Sequence, residues 1–181
     1  MIRLVLNDEH LGSALEEAFS QCRHRLFIAT ADVKDLYLPQ RGKRAPRGPR
    51  QTRTILDVFA ELTARGVEVN LLHSGVPSGP FLNDLKKRKG PTLLMRRCVR
   101  VHAKVVIADG RWMYLGSANL TGAGLGAKSA ARRNFEAGLV TDDLSLIDPV
   151  ADMLADVFGG GQCSGCGRRD YCPVPLEEPH L

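Results

Sequence analysis

Two kinds of hydrophobic pattern alternate along the first 158 residues of the chain. Short runs rich in Val, Ile and Leu are typical of buried strands, and apolar positions three or four residues apart are typical of helices. The patterns predict strands over 1–6, 25–31, 67–73, 99–107, 112–116 and 134–140. They predict helices over 11–23, 54–65, 78–89 and 143–158, the last broken or begun near Pro149.

This order of elements predicts an α/β fold with stacked layers. The strand-like runs show little polar alternation, so we expect helices to cover both faces of the sheet. The segment 39–53, rich in proline and glycine, is expected to be a loop.

Composition divides the chain into a domain over 1–158 and a tail over 159–181. The 181 residues are 44% hydrophobic and 25% charged, which excludes a disordered chain, a coiled coil and a collagen-like fibre. The tail begins with three glycines and has three cysteines but almost no core-forming residues. It therefore needs a cross-link to fold, which we call a staple. No apolar run approaches the length of a membrane span, and the apolar stretch within the first ten residues is too short for a signal peptide. We therefore expect a cytoplasmic protein without integral membrane association.

Basic residues are concentrated in two stretches. The 25 basic and 20 acidic residues give a formal charge of +5, but 41–53 has six basic residues and no acid, and 86–104 has eight and no acid. Such stretches favour a polyanionic partner, nucleic acid or an anionic membrane surface, and the alternative is a solvated surface. The candidate nucleic-acid-binding residues are Arg41, Lys43, Arg44, Arg47, Arg96, Arg97 and Arg100.

The most informative stretch has the spacing H-x-K-x4-D-x6-G-S-x-N and runs from His102 to Asn119. On a strand, His102 and Lys104 would share one face, so an imidazole would lie beside an ammonium group. Gly116 lets an anion approach the backbone closely. Ser117 adds a hydroxyl, and Asn119 adds a carboxamide. Together these groups suit a phosphate.

Two further polar residues follow at the next predicted strand. Asn134 brings a carboxamide and Glu136 a carboxylate, two residues apart and therefore on one strand face. A carboxylate in this position can hold one nitrogen of an imidazole and so fix its tautomer.

The motif resembles the HKD signature of the phospholipase D superfamily. The resemblance implies a layered α-β-α domain with a mixed sheet and a two-step phosphodiester reaction through a phosphohistidine. His102 would be the nucleophile, with Lys104, Ser117, Asn119 and Asn134 binding the phosphate. Glu136 would orient His102, and Asp109 would be more structural than chemical.

The resemblance also implies an active site between two chains. The family's reaction needs two histidines, and this sequence has one HKD motif. A twofold homodimer would bring both copies of His102 to one phosphate. The short, single-motif members are typically nucleases that use no catalytic metal, so DNA or RNA is the expected substrate. The alternatives are a phospholipid hydrolase or transphosphatidylase, and a nucleic-acid-binding module without catalysis.

The cysteines form a second constellation. Cys163, Cys166 and Cys172 follow the spacing C-x2-C-x5-C, which can wrap a metal centre. A disulfide framework is the alternative, which an intracellular chain disfavours. For the fourth ligand we choose Cys98 over Cys22, whose place on the apolar side of a helix favours a buried thiol. The spacing resembles the iron–sulfur staple of RecB-like nucleases, which implies a structural 4Fe–4S cluster, and structural zinc fits four thiolates too.

Overall fold

The computed structural model describes residues 1–38, 53–88 and 93–176. The strands are β1 (Ile2–Leu6), β2 (Arg25–Thr30), β3 (Tyr37–Leu38), β4 (Arg53–Thr54), β5 (Glu68–His73), β6 (Leu94–Arg97), β7 (Val105–Ala108), β8 (Trp112–Gly116) and β9 (Ala137–Thr141). The helices are α1 (Glu17–Gln21), which continues a π-helical turn over Leu11–Glu16, then α2 (Ile55–Ala64), α3 (Gly79–Lys87) and α4 (Leu144–Gly159). The candidates Arg41, Lys43, Arg44 and Arg47, like most of the predicted 39–53 loop, lie outside the described residues.

Within the described ranges, seven strands form one sheet in the order β1-β9-β8-β7-β2-β5-β6. The strands β2, β5 and β6 are parallel, whereas each of the other neighbouring pairs is antiparallel. The sheet is therefore mixed. The short strands β3 and β4 pair separately.

Helices pack on both faces of this sheet, because successive side chains of its central strands point to opposite sides. Val106 packs on one face with Leu15, Ala18 and Phe59, from the first helical segment and α2. Ile107, the next residue, packs on the other face with buried side chains of α4. The predicted layered α/β fold is confirmed. No helix in the described part of the chain is long and apolar enough to cross a membrane.

The prediction of one strand over 99–107 is wrong. The chain instead forms β6 earlier, makes a turn in which the Val101 N–H donates to the Cys98 carbonyl at 3.0 Å, and begins β7 only at Val105. Alternating valines gave this turn the appearance of a strand. His102 and Lys104 therefore precede β7 and do not lie on it.

Pro149 neither breaks nor begins the last helix. Asp143 is the N-cap, and its Oδ1 accepts a hydrogen bond from the Ser145 N–H at 2.9 Å. The helix then runs through Pro149 to Gly159, where Gly160 ends it with a left-handed φ of 87°. The tail predicted over 159–181 therefore begins at the last residue of this helix.

Candidate active site

One edge of the sheet collects the polar residues that the sequence singles out. The strands β2 and β8 end at this edge and β7 and β9 begin there, because the first two run opposite to the other two. Five of the six predicted catalytic residues flank these strand ends, together with Asn134. With Asn134 included, these six residues are His102 and Lys104 before β7, Ser117 and Asn119 after the end of β8, and Asn134 and Glu136 before β9.

His102 is exposed at this edge, whereas Lys104 is buried with only 8% of its surface accessible. The Lys104 Nζ donates a hydrogen bond of 2.7 Å to the backbone carbonyl of His102. Burial lowers the pKa of Lys104, and the negative charge of Glu136 partly offsets that effect. The site thus holds an ammonium group that is fixed by the backbone of His102, and the His102 side chain itself is accessible.

Asn119 is held in one orientation by the end of β2. Its Oδ1 accepts from the Asp32 backbone N–H at 3.1 Å and lies 3.3 Å from the Thr30 hydroxyl. The side-chain NH2 is therefore the part of Asn119 that is available to donate to an anion.

Glu136 is tied to the polar residues around it. Asn134 donates from Nδ2 to Glu136 Oε1 at 3.0 Å, and the Ser117 hydroxyl donates to Oε2 in a short hydrogen bond. The Ala137 N–H donates in turn to Ser117 Oγ at 3.1 Å. Among the described residues, Glu136 forms no hydrogen bond with the His102 ring. Its role in orienting His102 therefore stays a prediction.

Asn7 supports this site, and sequence reasoning missed it. Its N–H donates to the Glu136 carbonyl at 2.9 Å, and its Oδ1 accepts from the Glu136 N–H at 3.3 Å. Asn7 has a φ of 50°, which asparagine tolerates better than most residues. An asparagine directly after an apolar run could have indicated such a turn, but not which residue the turn holds.

Asp109 lies at the opposite end of β7, away from the other motif residues. Its carboxylate accepts from three consecutive backbone N–H groups, those of Arg23 at 2.7 Å and of His24 and Arg25 at 2.8 Å. Burial opposes ionisation, but these N–H groups outweigh it and lower the pKa of Asp109. In this structure Asp109 fixes the turn that leads into β2.

Replacing Asp109 by asparagine is expected to destabilise the fold by about 3 kcal/mol, because one amide cannot satisfy three N–H donors. Asparagine tolerates the φ of 54° at this position, so the change isolates the loss of the carboxylate. Since the folded-state pKa is lowered, the stabilisation is complete above the ordinary value of 3.8 and is lost as the pH falls through the folded value. Urea unfolding at pH 7 and below pH 4 measures both effects. Equal stability of variant and parent at pH 7 would contradict this role.

Two of the predicted nucleic-acid-binding arginines contact the C-terminal tail. Arg96 donates to the carbonyls of Phe158, at 2.5 Å, and Leu176, and the Arg100 Nη1 lies 3.5 Å from the Cys166 sulfur. Arg97, in contrast, is at the end of β6 and donates from Nε to the Ser74 carbonyl at 2.9 Å. The structure thus places Arg96 and Arg100 against the tail, and their role in binding nucleic acid stays a prediction.

The predicted metal ligands Cys98, Cys163, Cys166 and Cys172 line a single cavity beside the site. Cys22 is buried elsewhere, 3.6 Å from the Asp109 carboxylate. Burial raises the pKa of Cys22 to about 12. None of the five cysteines forms a disulfide in this structure.

An imidazole, an ammonium group, a carboxamide and a hydroxyl at one sheet edge suit the binding of a phosphate group. The chain matches the family described as "Cardiolipin synthase, PLD-like domain" over residues 15–158. No curated protein matches the chain. The chain belongs to the phospholipase D-like family, which confirms the resemblance and supports an activity of the phosphodiesterase type.

Solved structures share this fold. NucT from Helicobacter pylori is 19% identical with a TM-score of 0.59, and the match covers 84% of this chain and 92% of NucT. The phospholipase D family member Nuc from Salmonella typhimurium is 16% identical with a TM-score of 0.58, and the match covers 86% and 93% of the two chains. The archaeal chromatin protein TrmBL2 is 14% identical with a TM-score of 0.53, over 87% of this chain and 52% of TrmBL2.

Proposed function

We propose that the protein is a phosphodiesterase that cleaves nucleic acid at a site shared by two subunits. The observation that carries this proposal is the exposed side chain of His102, whose backbone carbonyl accepts a hydrogen bond from the buried ammonium group of Lys104. The oriented amide of Asn119 lies at the same sheet edge. A nucleophile flanked by a fixed cation and a neutral donor is the arrangement that phosphoryl transfer requires.

The proposed reaction has two steps. A nitrogen lone pair of His102 attacks phosphorus, the bond from phosphorus to the leaving oxygen breaks, and the second imidazole gives that oxygen its proton. The same imidazole then takes a proton from water, whose oxygen attacks phosphorus and releases His102. Lys104 and Asn119 stabilise the phosphoryl oxygens, on which negative charge accumulates in both steps.

A second copy of this chain would supply the second imidazole. The face of β1 turned away from α1 carries Ile2, Leu4 and Leu6, which are 62%, 64% and 43% exposed. Leu139 pairs with both Leu4 and Leu115, so one apolar row crosses three strands. We call this set the apolar patch: Ile2, Leu4, Leu6, Leu115 and Leu139.

The apolar patch adjoins the site on both sides. Leu115 is two residues before Ser117, and Leu6 pairs with Ala137, the neighbour of Glu136. An exposed apolar surface of this kind is typical of a protein interface. Its continuity with a site that needs a second imidazole supports a second copy of the chain as its occupant.

Replacing Leu4 by aspartate is expected to convert the dimer to monomers and to abolish cleavage, because it buries a charge in the proposed interface. Sedimentation velocity and a cleavage assay on the same sample measure both effects. Tyr37→Asp on β3 is the matched control, since Tyr37 is 51% exposed and lies outside the apolar patch. A Leu4→Asp protein that stays dimeric, or cleaves as a monomer, would contradict the shared site.

Basic side chains beside the site favour nucleic acid over a lipid headgroup. Lys128, Arg132 and Arg133 lie in the segment that joins Asn119 to Glu136, and the first two are exposed. Arg97 ends β6 at the same edge of the sheet. Arg133 forms an ion pair with Asp8 at 2.8 Å, so Lys128, Arg132 and Arg97 are the cations that we expect to contact a chain of phosphates.

The proposal is tested by offering end-labelled single- and double-stranded DNA and RNA, and phospholipid vesicles, at low ionic strength without added divalent metal. We expect cleavage of nucleic acid that weakens steeply with salt. Hydrolysis of the phospholipid alone would overturn the assignment of nucleic acid as substrate, but it would support phosphodiesterase activity. Binding of nucleic acid without cleavage would favour the binding module and overturn the enzyme.

A further inference from the structure

A cavity of about 460 Å3 lies between the C-terminal tail, α4 and the segment that precedes β7. Its walls include four of the five cysteines, Cys98 from the domain and Cys163, Cys166 and Cys172 from the tail. Thiol side chains from positions so far apart in the sequence meet there because the tail folds back over the domain. The proposed phosphodiesterase reaction uses none of these thiols.

The backbone holds the cysteines in place from both sides. The Cys98 N–H donates to the His73 carbonyl at 2.9 Å, which extends the pairing of β5 and β6 by one residue. In the tail, each cysteine N–H closes a turn by donating to the carbonyl three residues before it, at 2.9 Å for Cys163, 3.1 Å for Cys166 and 3.2 Å for Cys172. The sulfurs are thus presented by short turns, as in many structural metal sites.

Arg96 connects the sheet to the end of α4 and to the end of the tail. Its guanidinium donates to the carbonyl of Phe158, before the cysteines, and to that of Leu176, after them. Leu176 is a buried hydrophobic residue of the tail, only 3% exposed, and it joins the cluster around α4. Burial of this kind is too small to order a cysteine-rich segment without a further link.

The charges around the cavity suit a centre built from thiolates. Four thiolates around a metal centre carry net negative charge, and Arg100, Arg168 and Arg169 line the same cavity. The Arg100 Nη1 lies 3.5 Å from the Cys166 sulfur.

We propose that Cys98, Cys163, Cys166 and Cys172 are the ligands of one four-thiolate metal centre that staples the tail to the domain. Among the described residues, no three His, Cys, Asp or Glu side chains are placed to hold a metal ion as they stand. Four thiolates can hold either an iron–sulfur cluster or a zinc ion, and the metal content measured below distinguishes the two.

The centre would also position the nucleophile, a consequence that rests on the proposed function. His102 and Ala103 line the same cavity as the cysteines, and the Val101 N–H donates to the Cys98 carbonyl. A metal bond to Cys98 therefore restrains the short segment that carries His102. Loss of the centre is expected to lower cleavage at least about tenfold, because a small displacement of the nucleophile is costly.

The first test needs no enzyme assay. The full chain is purified without oxygen, incubated with ferrous iron and sulfide or with zinc, and analysed for iron, sulfide and zinc together with its visible absorbance. We expect about four irons or about one zinc per chain. A visible charge-transfer band would identify an iron–sulfur cluster. Bound zinc without such a band would support the four-thiolate centre and identify its metal as zinc. Protein that stays metal-free after both treatments, with all four thiols open to alkylation, would overturn the proposal.

Single variants then assign the ligands. Cys98→Ala, Cys163→Ala, Cys166→Ala and Cys172→Ala are each expected to lose most of the bound metal, and Cys22→Ala is expected to keep it. Cys22 is the matched control because its thiol is buried outside the cavity. Circular dichroism separates metal loss from unfolding. Metal retained in full by the Cys98→Ala protein would overturn the link between tail and domain, whether or not the protein proves to be a nuclease.

Discussion

Replacing His102 by alanine is expected to lower the rate of nucleic-acid cleavage on the order of a thousandfold or more, because the reaction loses its nucleophile. Binding is expected to remain nearly unchanged, since Lys104 and Asn119 still contact the phosphate. The fold should also be unaffected, because the His102 side chain is exposed. Single-turnover cleavage and equilibrium binding of the same labelled substrate measure the two effects separately.

His24→Ala is the matched control for this variant. His24 is likewise exposed, but it lies next to Asp109 at the opposite end of the sheet. Its backbone N–H, which holds Asp109, is retained in the alanine variant. Comparable losses in the two variants, or substantial cleavage by the His102→Ala protein, would contradict the assignment of His102 as nucleophile.

Replacing Lys104 by methionine is expected to lower the single-turnover rate by about 10²–10³-fold, the typical cost of removing a preorganised group that stabilises transition-state charge. Methionine preserves most of the apolar stem, so the buried space stays filled. Because burial lowers the pKa of Lys104, activity should fall on the alkaline side earlier than an exposed lysine would allow. The methionine variant should lack that part of the pH profile.

Lys86→Met controls for the loss of one positive charge, since Lys86 is an exposed residue of α3. We expect it to cleave like the parent protein and to keep the alkaline decline. A Lys104→Met protein with a normal rate and weaker binding alone would show that Lys104 contributes uniform binding and not transition-state stabilisation.

Most regular elements could be predicted from the sequence because their apolar patterns are local. The helix that begins at Ile55 is one example, since five of its residues are buried and Thr54 caps it through the Asp57 N–H. The strand β6 was not predicted, because two of its four residues are the arginines at 96 and 97 and the segment looks like part of a basic loop. Its pairing with β5 decides its structure, and that contact is not local.

The candidate site could be predicted as a set of residues but not as an arrangement. The spacing of the motif identified His102, Lys104 and Asn119, and one sheet edge brings them together. Which edge, and in which order, depends on the antiparallel pairing of strands far apart in the sequence. The contact of Asn7 with Glu136 joins residues 129 positions apart, so no local pattern could indicate it.

The central claim, a site that needs His102 from two subunits, is tested most directly by mixing parent and His102→Ala chains and allowing the subunits to exchange. Cleavage is then measured against the fraction of parent chains. If each site uses both imidazoles, activity follows the square of that fraction, and an equal mixture retains about one quarter. Activity that falls in proportion to the parent fraction, to about one half, would contradict the shared site.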